Sequence, residues 1–170
     1  MRDGLAKLQF RRLEETAARV VDTPRELRTP WPGVETFWWS HDGKRLLFLM
    51  DRNEDENAHL FAVDVHAAEL TARDLTPLDG VRAEFMRVVN GDPNIVIVRH
   101  TGRTGRAFDL YRLNLTTGDM VLHAQNPGDV CGWSVAGSSR VRMRFHCLPD
   151  GDTRLASSVV HHPPVTCCSR

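Results

Sequence analysis

Short apolar runs separated by polar turns recur along this chain with a period of about 50 residues. Shifting the sequence by that period places Leu46–Phe48 on Val96–Val98 and Leu60–Val65 on Leu110–Leu115, and the overlay needs no gap. Each unit has a turn, an apolar strand, a polar loop, a second strand, a turn and a short third strand. The pattern therefore predicts a repeated β-structure.

A third unit begins at Val130. Its Trp133-Ser134 pair repeats the Trp39-Ser40 pair that precedes the turn of the first unit. Arginine then alternates with apolar residues over 140–145, which is the period-2 pattern of a half-buried strand.

A repeat of this length accommodates about four strands, which is one blade of a propeller. The remaining strand of the first two units is predicted at 36–39 and 83–89. The predicted fold class is all-β: a partial β-propeller with two four-stranded antiparallel blades, part of a third, and a short N-terminal helix. The predicted blades cover about 31–80, 81–129 and 130–155, and an irregular tail covers 156–170.

The first 30 residues differ from the repeat and predict a helical lead-in. Their apolar residues recur at roughly helical intervals, and Pro24 and the Thr29-Pro30 pair would end the helix. The apolar positions are Leu5, Leu8, Leu13, Ala17, Val20 and Val21.

Charge and hydropathy restrict the partners. The chain has 22 basic and 22 acidic side chains, so no net field attracts nucleic acid or anionic lipid. No apolar run approaches the roughly 20 residues that cross a bilayer, and the N-terminus does not read as a secretory signal. We therefore expect a cytoplasmic protein without nucleic-acid or membrane partners.

Four cysteines, at 131, 147, 167 and 168, are predicted to be reduced thiols because a secretion signal is lacking. Cys167 and Cys168 follow His161 and His162, but the spacing typical of a metal site is missing. We predict no metal and no cofactor.

An acidic loop follows the first apolar strand and contains the candidate binding residues. Oxygen-bearing side chains alternate as at the start of a calcium loop, but Glu56 stands where that loop needs glycine and Ala62 where it needs a bidentate Glu. A solvated loop is the simpler interpretation; the alternative is a carboxylate cluster that binds a cationic group such as a peptide amine. The candidates are Asp51, Glu54, Asp55, Glu56 and Asn57.

The equivalent loop of the second unit is basic, with Arg99, Arg103 and Arg106. No aromatic residue alternates with them to stack on bases, so a charged hairpin is favoured over a nucleic-acid site. The acidic and basic loops are also candidates for ion pairing across the blade interface.

Gly132-Trp133-Ser134 is similar to a hydrolase nucleophile elbow. That elbow requires a strand before the serine and a helix after it, whereas a turn precedes this segment and a strand pattern follows. We predict that Ser134 lies on a blade strand and that the chain has no catalytic residue.

The repeat motifs resemble the propeller of the prolyl oligopeptidase family of serine peptidases. Residues 39–48 resemble its blade opening W-S-x-D-G-x-x-L-L-F/Y, and residues 51–64 resemble D-x-x-G-D-E-N-x-H-L-Y-x-V-D, with Glu54 replacing the glycine. Residues 74–81 and 108–118 continue the series, and the likeness extends from about Trp31 to about Arg144, favouring the acylaminoacyl-peptidase-like branch.

The resemblance implies a propeller that admits small peptides to a C-terminal α/β-hydrolase domain, where a Ser-Asp-His triad cleaves them. No matching triad residue lies in this sequence, so the expected function is non-catalytic gating, with that domain and peptides as partners. A stand-alone WD40-like or TolB-like interaction scaffold is the competing hypothesis. Open edges of unclosed blades favour self-association.

Overall fold

The computed structural model describes residues 8–23, 34, 36–51 and 56–157. These residues contain thirteen strands and no helix. The strands are β1 (Gln9–Phe10), β2 (Arg19–Val20), β3 (Thr36–Trp39), β4 (Arg45–Asp51), β5 (Ala58–Asp64), β6 (Arg73–Asp74), β7 (Ala83–Val88), β8 (Ile95–His100), β9 (Asp109–Asn114), β10 (Met120–Ala124), β11 (Val130–Val135), β12 (Val141–Cys147) and β13 (Thr153–Ser157).

The strands form three antiparallel meanders in chain order. The first sheet contains β3 to β6, the second contains β7 to β10, and the third contains β11 to β13. A separate hairpin, β1–β2, precedes them and is called the N-terminal hairpin below. The predicted all-β fold with two four-stranded sheets and part of a third is confirmed.

Strand β4 buries side chains on both of its faces because alternate residues point to opposite sides of a sheet. Leu47 and Leu49 belong to a cluster that includes Val96 and Val98 of the second sheet. Trp38 stacks on Phe85 across the same boundary, with ring centroids 4.3 Å apart. This cluster joins the first and second sheets.

The other face of the first sheet lies under the N-terminal hairpin. Phe48 and Phe61 stack there with ring centroids 5.5 Å apart, and both are fully buried. Val21 joins their cluster, and Leu8 and Phe10 pack against it. The hairpin therefore covers a face that would otherwise be exposed.

The predicted N-terminal helix is wrong for residues 8–23, and residues 1–7 and 24–30 lie outside the described residues. Asp22 forms a parallel bridge with Thr71, and Arg19 donates to the carbonyls of Ala67 and Ala68. These contacts satisfy backbone groups in an extended conformation, so tertiary packing overrides the helical spacing of the apolar residues. Leu13, counted in the helical stripe, is 95% exposed.

The second and third sheets are joined by a cluster in which Ile97 and Leu110 meet Trp133 and Val135. Arginine side chains form hydrogen bonds across this junction and across the junction between the first and second sheets. Arg73 donates to the carbonyls of Thr116 and Thr117, and Arg45 donates to Asn94 and Thr116. In the same way Arg87 donates to the Val135 carbonyl and Arg112 to the Ser139 hydroxyl.

The prediction of reduced thiols is wrong for Cys131 and Cys147, which form a disulfide. The two residues lie on neighbouring strands, and their Cα atoms are 5.7 Å apart. This distance suits a disulfide and cannot be read from a sequence separation of 16. Disulfides are typical of oxidising compartments, so the cysteines give no support to the predicted cytoplasmic location.

The two tryptophans at matched repeat positions differ in burial. Trp133 is buried, as expected for a residue that fills a blade interface, but Trp39 is 43% exposed. The ring of Phe10 meets Trp39 edge-on at 5.9 Å, which covers only part of the indole. Strand β13 ends at Ser157, two residues inside the segment predicted as an irregular tail, and residues 158–170 lie outside the described residues.

Replacing Phe61 by Ala tests the burial of the hairpin-covered face. We expect Phe61→Ala to lower the free energy of unfolding by about 3–5 kcal/mol, because it removes a fully buried ring and leaves a cavity. Urea unfolding followed by tryptophan fluorescence measures the change. Phe37→Ala is the matched control, since Phe37 is 60% exposed and its loss should cost less than about 1 kcal/mol. Equal losses for the two variants would contradict this arrangement.

Candidate functional site

The acidic loop connects β4 to β5, and the structure gives its described residues different roles. Asp51, the last residue of β4, is 6% exposed, and its carboxylate accepts a hydrogen bond from the Glu56 backbone N–H at 3.0 Å. Glu56 has φ of 62° and an exposed side chain. Asp51 therefore holds the loop from inside, while the Glu56 carboxylate faces solvent. Asn57 is half-buried, and Glu54 and Asp55 lie outside the described residues.

A buried histidine follows this loop, as the second residue of β5. His59 of β5 is 1% exposed, and its Nδ1 lies 2.7 Å from the Asp74 carboxylate on β6. The other Asp74 oxygen accepts from the Thr76 backbone N–H, and the Thr76 hydroxyl accepts from Leu60 N–H. The network ties the end of the first sheet to the segment that leads into the second.

The second sheet carries a matching polar layer, centred on the carboxylate of Asp109. This carboxylate is fully buried and accepts hydrogen bonds from Arg103 and from the Asn126 backbone N–H. Burial would raise the pKa of Asp109, but these hydrogen bonds lower it below its usual value. The Asn126 side chain in turn donates to the carbonyls of Phe108 and Val130, which links the second sheet to the third.

His100 is the buried residue of this layer whose hydrogen bonding is incomplete. It is 2% exposed, and its Nδ1 accepts from the Gly102 backbone N–H at 3.2 Å. That bond requires an unprotonated Nδ1, so the neutral ring carries its proton on Nε2. Nε2 has no hydrogen-bond partner among the described residues. The ring meets Tyr111 edge-on, with centroids 5.5 Å apart.

Burial is the main cause that lowers the pKa of His100, and the nearby His59 lowers it further. Asp109 opposes these effects without reversing them. The imidazole is therefore held in its neutral form between the first two sheets, where a charge would be poorly solvated.

The arginines of the basic loop pair within their own sheet. Arg99 binds Glu84 of the neighbouring strand and lies over the Phe108 ring, 4.7 Å from its centroid. Arg103 binds Asp109, whereas Arg106 is exposed. The described contacts of Arg99 and Arg103 therefore do not cross to the acidic loop of the first sheet.

Ser134 lies inside β11, where it pairs with Met143 of β12. This position agrees with the blade-strand prediction and differs from the strand-to-helix turn of a nucleophile elbow. In the part of the chain that the structure describes, no three His, Cys, Asp or Glu side chains cluster in a way that suits a metal ion. No helix of that part is long and apolar enough to cross a membrane.

The sequence reasoning named Asp51, Glu56 and Asn57 but missed the buried residues behind them. His59 interrupts an apolar strand, whereas His100 ends β8 and Asp109 begins β9. A polar residue within or next to an apolar run was the available signal. In the repeat overlay His59 coincides with Asp109, so the two sheets place different polar groups at equivalent positions.

Comparison with known proteins gives a sequence relative and a shared fold. The chain matches no protein-family model. It is 29% identical over 119 residues to dipeptidyl aminopeptidase BIII from Pseudoxanthomonas mexicana, which covers 70% of this chain and 17% of that protein. The aligned part of the chain is therefore similar to one segment of a dipeptidyl aminopeptidase. It spans about a sixth of that relative's length.

A solved structure of TolB shares the arrangement of the sheets. Putative TolB from Agrobacterium tumefaciens superposes with a TM-score of 0.50 at 14% identity, covering 84% of this chain and 47% of that chain. TolB from Acinetobacter baumannii gives a TM-score of 0.49 at 15% identity, covering 89% and 38%. The first similarity shows the fold alone, and the fold is a partial β-propeller with two four-stranded blades and part of a third.

Removing the imidazole of His100 should flatten the pH dependence of stability. The unfolded chain binds a proton near pH 6.5 and the folded chain only at lower pH, so the free energy of unfolding falls as pH decreases below about 6.5. His100→Gln keeps an acceptor for the Gly102 N–H but does not titrate. Urea unfolding at a series of pH values should show a smaller loss for this variant.

His41→Gln, at an exposed histidine, is the control and should follow the wild-type curve. Wild-type and His100→Gln curves that stay parallel down to acid pH would contradict a neutral, buried His100.

Proposed function

We propose that this chain is a non-catalytic propeller portion of a prolyl-oligopeptidase-like serine peptidase, and that it helps to admit small peptides to a hydrolase domain. The observation that carries the proposal is the alignment of 70% of the chain with dipeptidyl aminopeptidase BIII. The ordered blade motifs from about Trp31 to about Arg144, which resemble that peptidase family, agree with it.

The acidic loop is the part of the chain to which we assign substrate contact. Its Glu56 carboxylate is exposed, and the hydrogen bond from the Glu56 N–H to the buried Asp51 fixes the backbone that carries it. An exposed carboxylate on an anchored loop suits the free amine of a peptide. Asp51 is then a positioning residue, and Glu56 a contact residue; Glu54, Asp55 and Asn57 complete the proposed amine-binding loop.

Catalytic inactivity of the chain alone is the first test. We expect the purified protein to release no chromophore from acylaminoacyl, aminoacyl or dipeptidyl reporter substrates, because its propeller strands supply no activated nucleophile. Absorbance assays with concentrated protein measure this. Turnover that disappears in Ser134→Ala would overturn the proposal, since it would make Ser134 a nucleophile.

Amine recognition by the loop is tested by binding. A short peptide with a free N-terminus should bind more tightly than its N-acetylated form, and Glu56→Gln should weaken the free form about three- to fivefold, as expected for an exposed ion pair. Chemical-shift titration follows both peptides. Glu69→Gln, an exposed carboxylate outside the loop, is the matched control. Equal affinity for the two peptides would show that the loop does not recognise the free amine.

A further inference from the structure

The loops that follow β4 and β8 carry opposite charges at equivalent positions. The shift that aligns the repeats places Glu56 of the acidic loop on Arg106 of the basic loop. Both side chains are exposed. The acidic loop connects β4 to β5, and the basic loop connects β8 to β9. The two residues are therefore counterparts in neighbouring sheets.

The packing of the first two sheets places both loops at one end. His59, which follows the acidic loop, lies close enough to His100 at the end of β8 to lower its pKa. At the other end of these strands, Arg45 at the start of β4 donates to Asn94, which directly precedes β8. Strands β4 and β8 therefore run in the same direction, and the loops that follow them emerge at the same end.

Each loop is anchored at the same repeat position. The overlay places Asp51 on Thr101, and both residues are buried. The Asp51 carboxylate accepts from the Glu56 N–H, and the Thr101 carbonyl accepts from the Gly105 N–H at 2.7 Å. Arg106 follows Gly105 directly. The backbone that carries each exposed charge is thus attached to the strand before it.

The two charges do not neutralise each other. Among the residues that the structure describes, neither Glu56 nor Arg106 forms an ion pair, so their charged atoms lie farther apart than direct pairing requires. The other arginines of the basic loop differ in this respect, because Arg99 and Arg103 pair with carboxylates of their own sheet. Arg106 is therefore the arginine of this loop that suits an external anion.

The spacing of the sheets sets the size of a ligand that contacts both side chains. The first and second sheets pack face to face through a cluster that contains Leu47 and Val96, and sheets packed in this way lie about 10 Å apart. An extended peptide advances about 3.3 Å per residue, so about three residues span that distance. The two termini of such a peptide carry an ammonium group and a carboxylate, which are the charges that Glu56 and Arg106 complement.

We propose that Glu56 and Arg106 bind the two ends of a short zwitterionic peptide. Glu56 contacts the free amine, and the planar guanidinium of Arg106 donates hydrogen bonds to the C-terminal carboxylate. The inference rests on the amine recognition proposed for the acidic loop. It restricts the substrate class to peptides of about three residues, since a longer extended chain carries its carboxylate beyond Arg106.

Chemical-shift titration of the full chain with trialanine tests this inference. Amidation of the peptide's C-terminus removes its charge and should weaken binding about three- to fivefold, as expected for an exposed ion pair. Arg106→Gln should weaken binding of the free acid by the same factor and leave the affinity for trialanine amide unchanged. Glu56→Gln should weaken binding of both peptides, because both keep the free amine.

Arg140→Gln is the matched control. Arg140 is also an exposed arginine outside the strands, but it lies in the connection between β11 and β12 of the third sheet. This variant should bind trialanine and its amide like the wild-type protein.

The outcomes separate this inference from the proposal on which it rests. If N-acetylation weakens binding but amidation does not, the amine role stands and the two-ended site is wrong. If neither modification changes the affinity, or if trialanine does not bind at all, both proposals fail together. An effect of amidation that persists in Arg106→Gln also overturns the inference, since another cation then binds the carboxylate.

Discussion

Burial of both faces of the first sheet is the constraint on which the rest of the structure depends. Six of the seven residues of β4 are buried, and so are six of the seven residues of β5. Strands of this kind cannot leave either side to water, because alternate residues are apolar on both. One side needs the second sheet and the other needs the N-terminal hairpin, so neighbours on both sides are part of the fold of this one sheet.

The repeat made most of the fold predictable, since a shift of about 50 residues aligns the strands of the first two sheets. The N-terminal segment was not predictable in this way. Val20 and Val21 fit a helical stripe by spacing alone, and the edge at Thr71 that binds this segment lies about 50 residues away. The disulfide could not be predicted from the sequence for a similar reason, because it depends on which strands are neighbours.

The sequence predicts which loop contains the candidate site, but it does not predict how the side chains of the site are arranged. Sequence letters present Asp51 and Glu56 as equal acidic residues, whereas the structure turns one inward and the other outward. Asp51 is buried because it is the last residue of β4, which is covered on both faces, whereas Glu56 lies in the loop beyond the strand. The polar layer of His59, His100 and Asp109 required knowledge of which residues share an interface. Periodicity identifies buried positions but does not pair them.

The parallel bridge between Asp22 and Thr71 also bears on how the chain is made. Residues near 20 leave the ribosome before the strand edge they bind, which is completed only some 50 residues later. At synthesis rates of about 5–20 residues per second, the N-terminal segment waits for a few seconds without its docking site. During that interval its apolar side chains are exposed to chaperones and proteases, so this cover of the first sheet is synthesised before the strands that it covers but docks only after them.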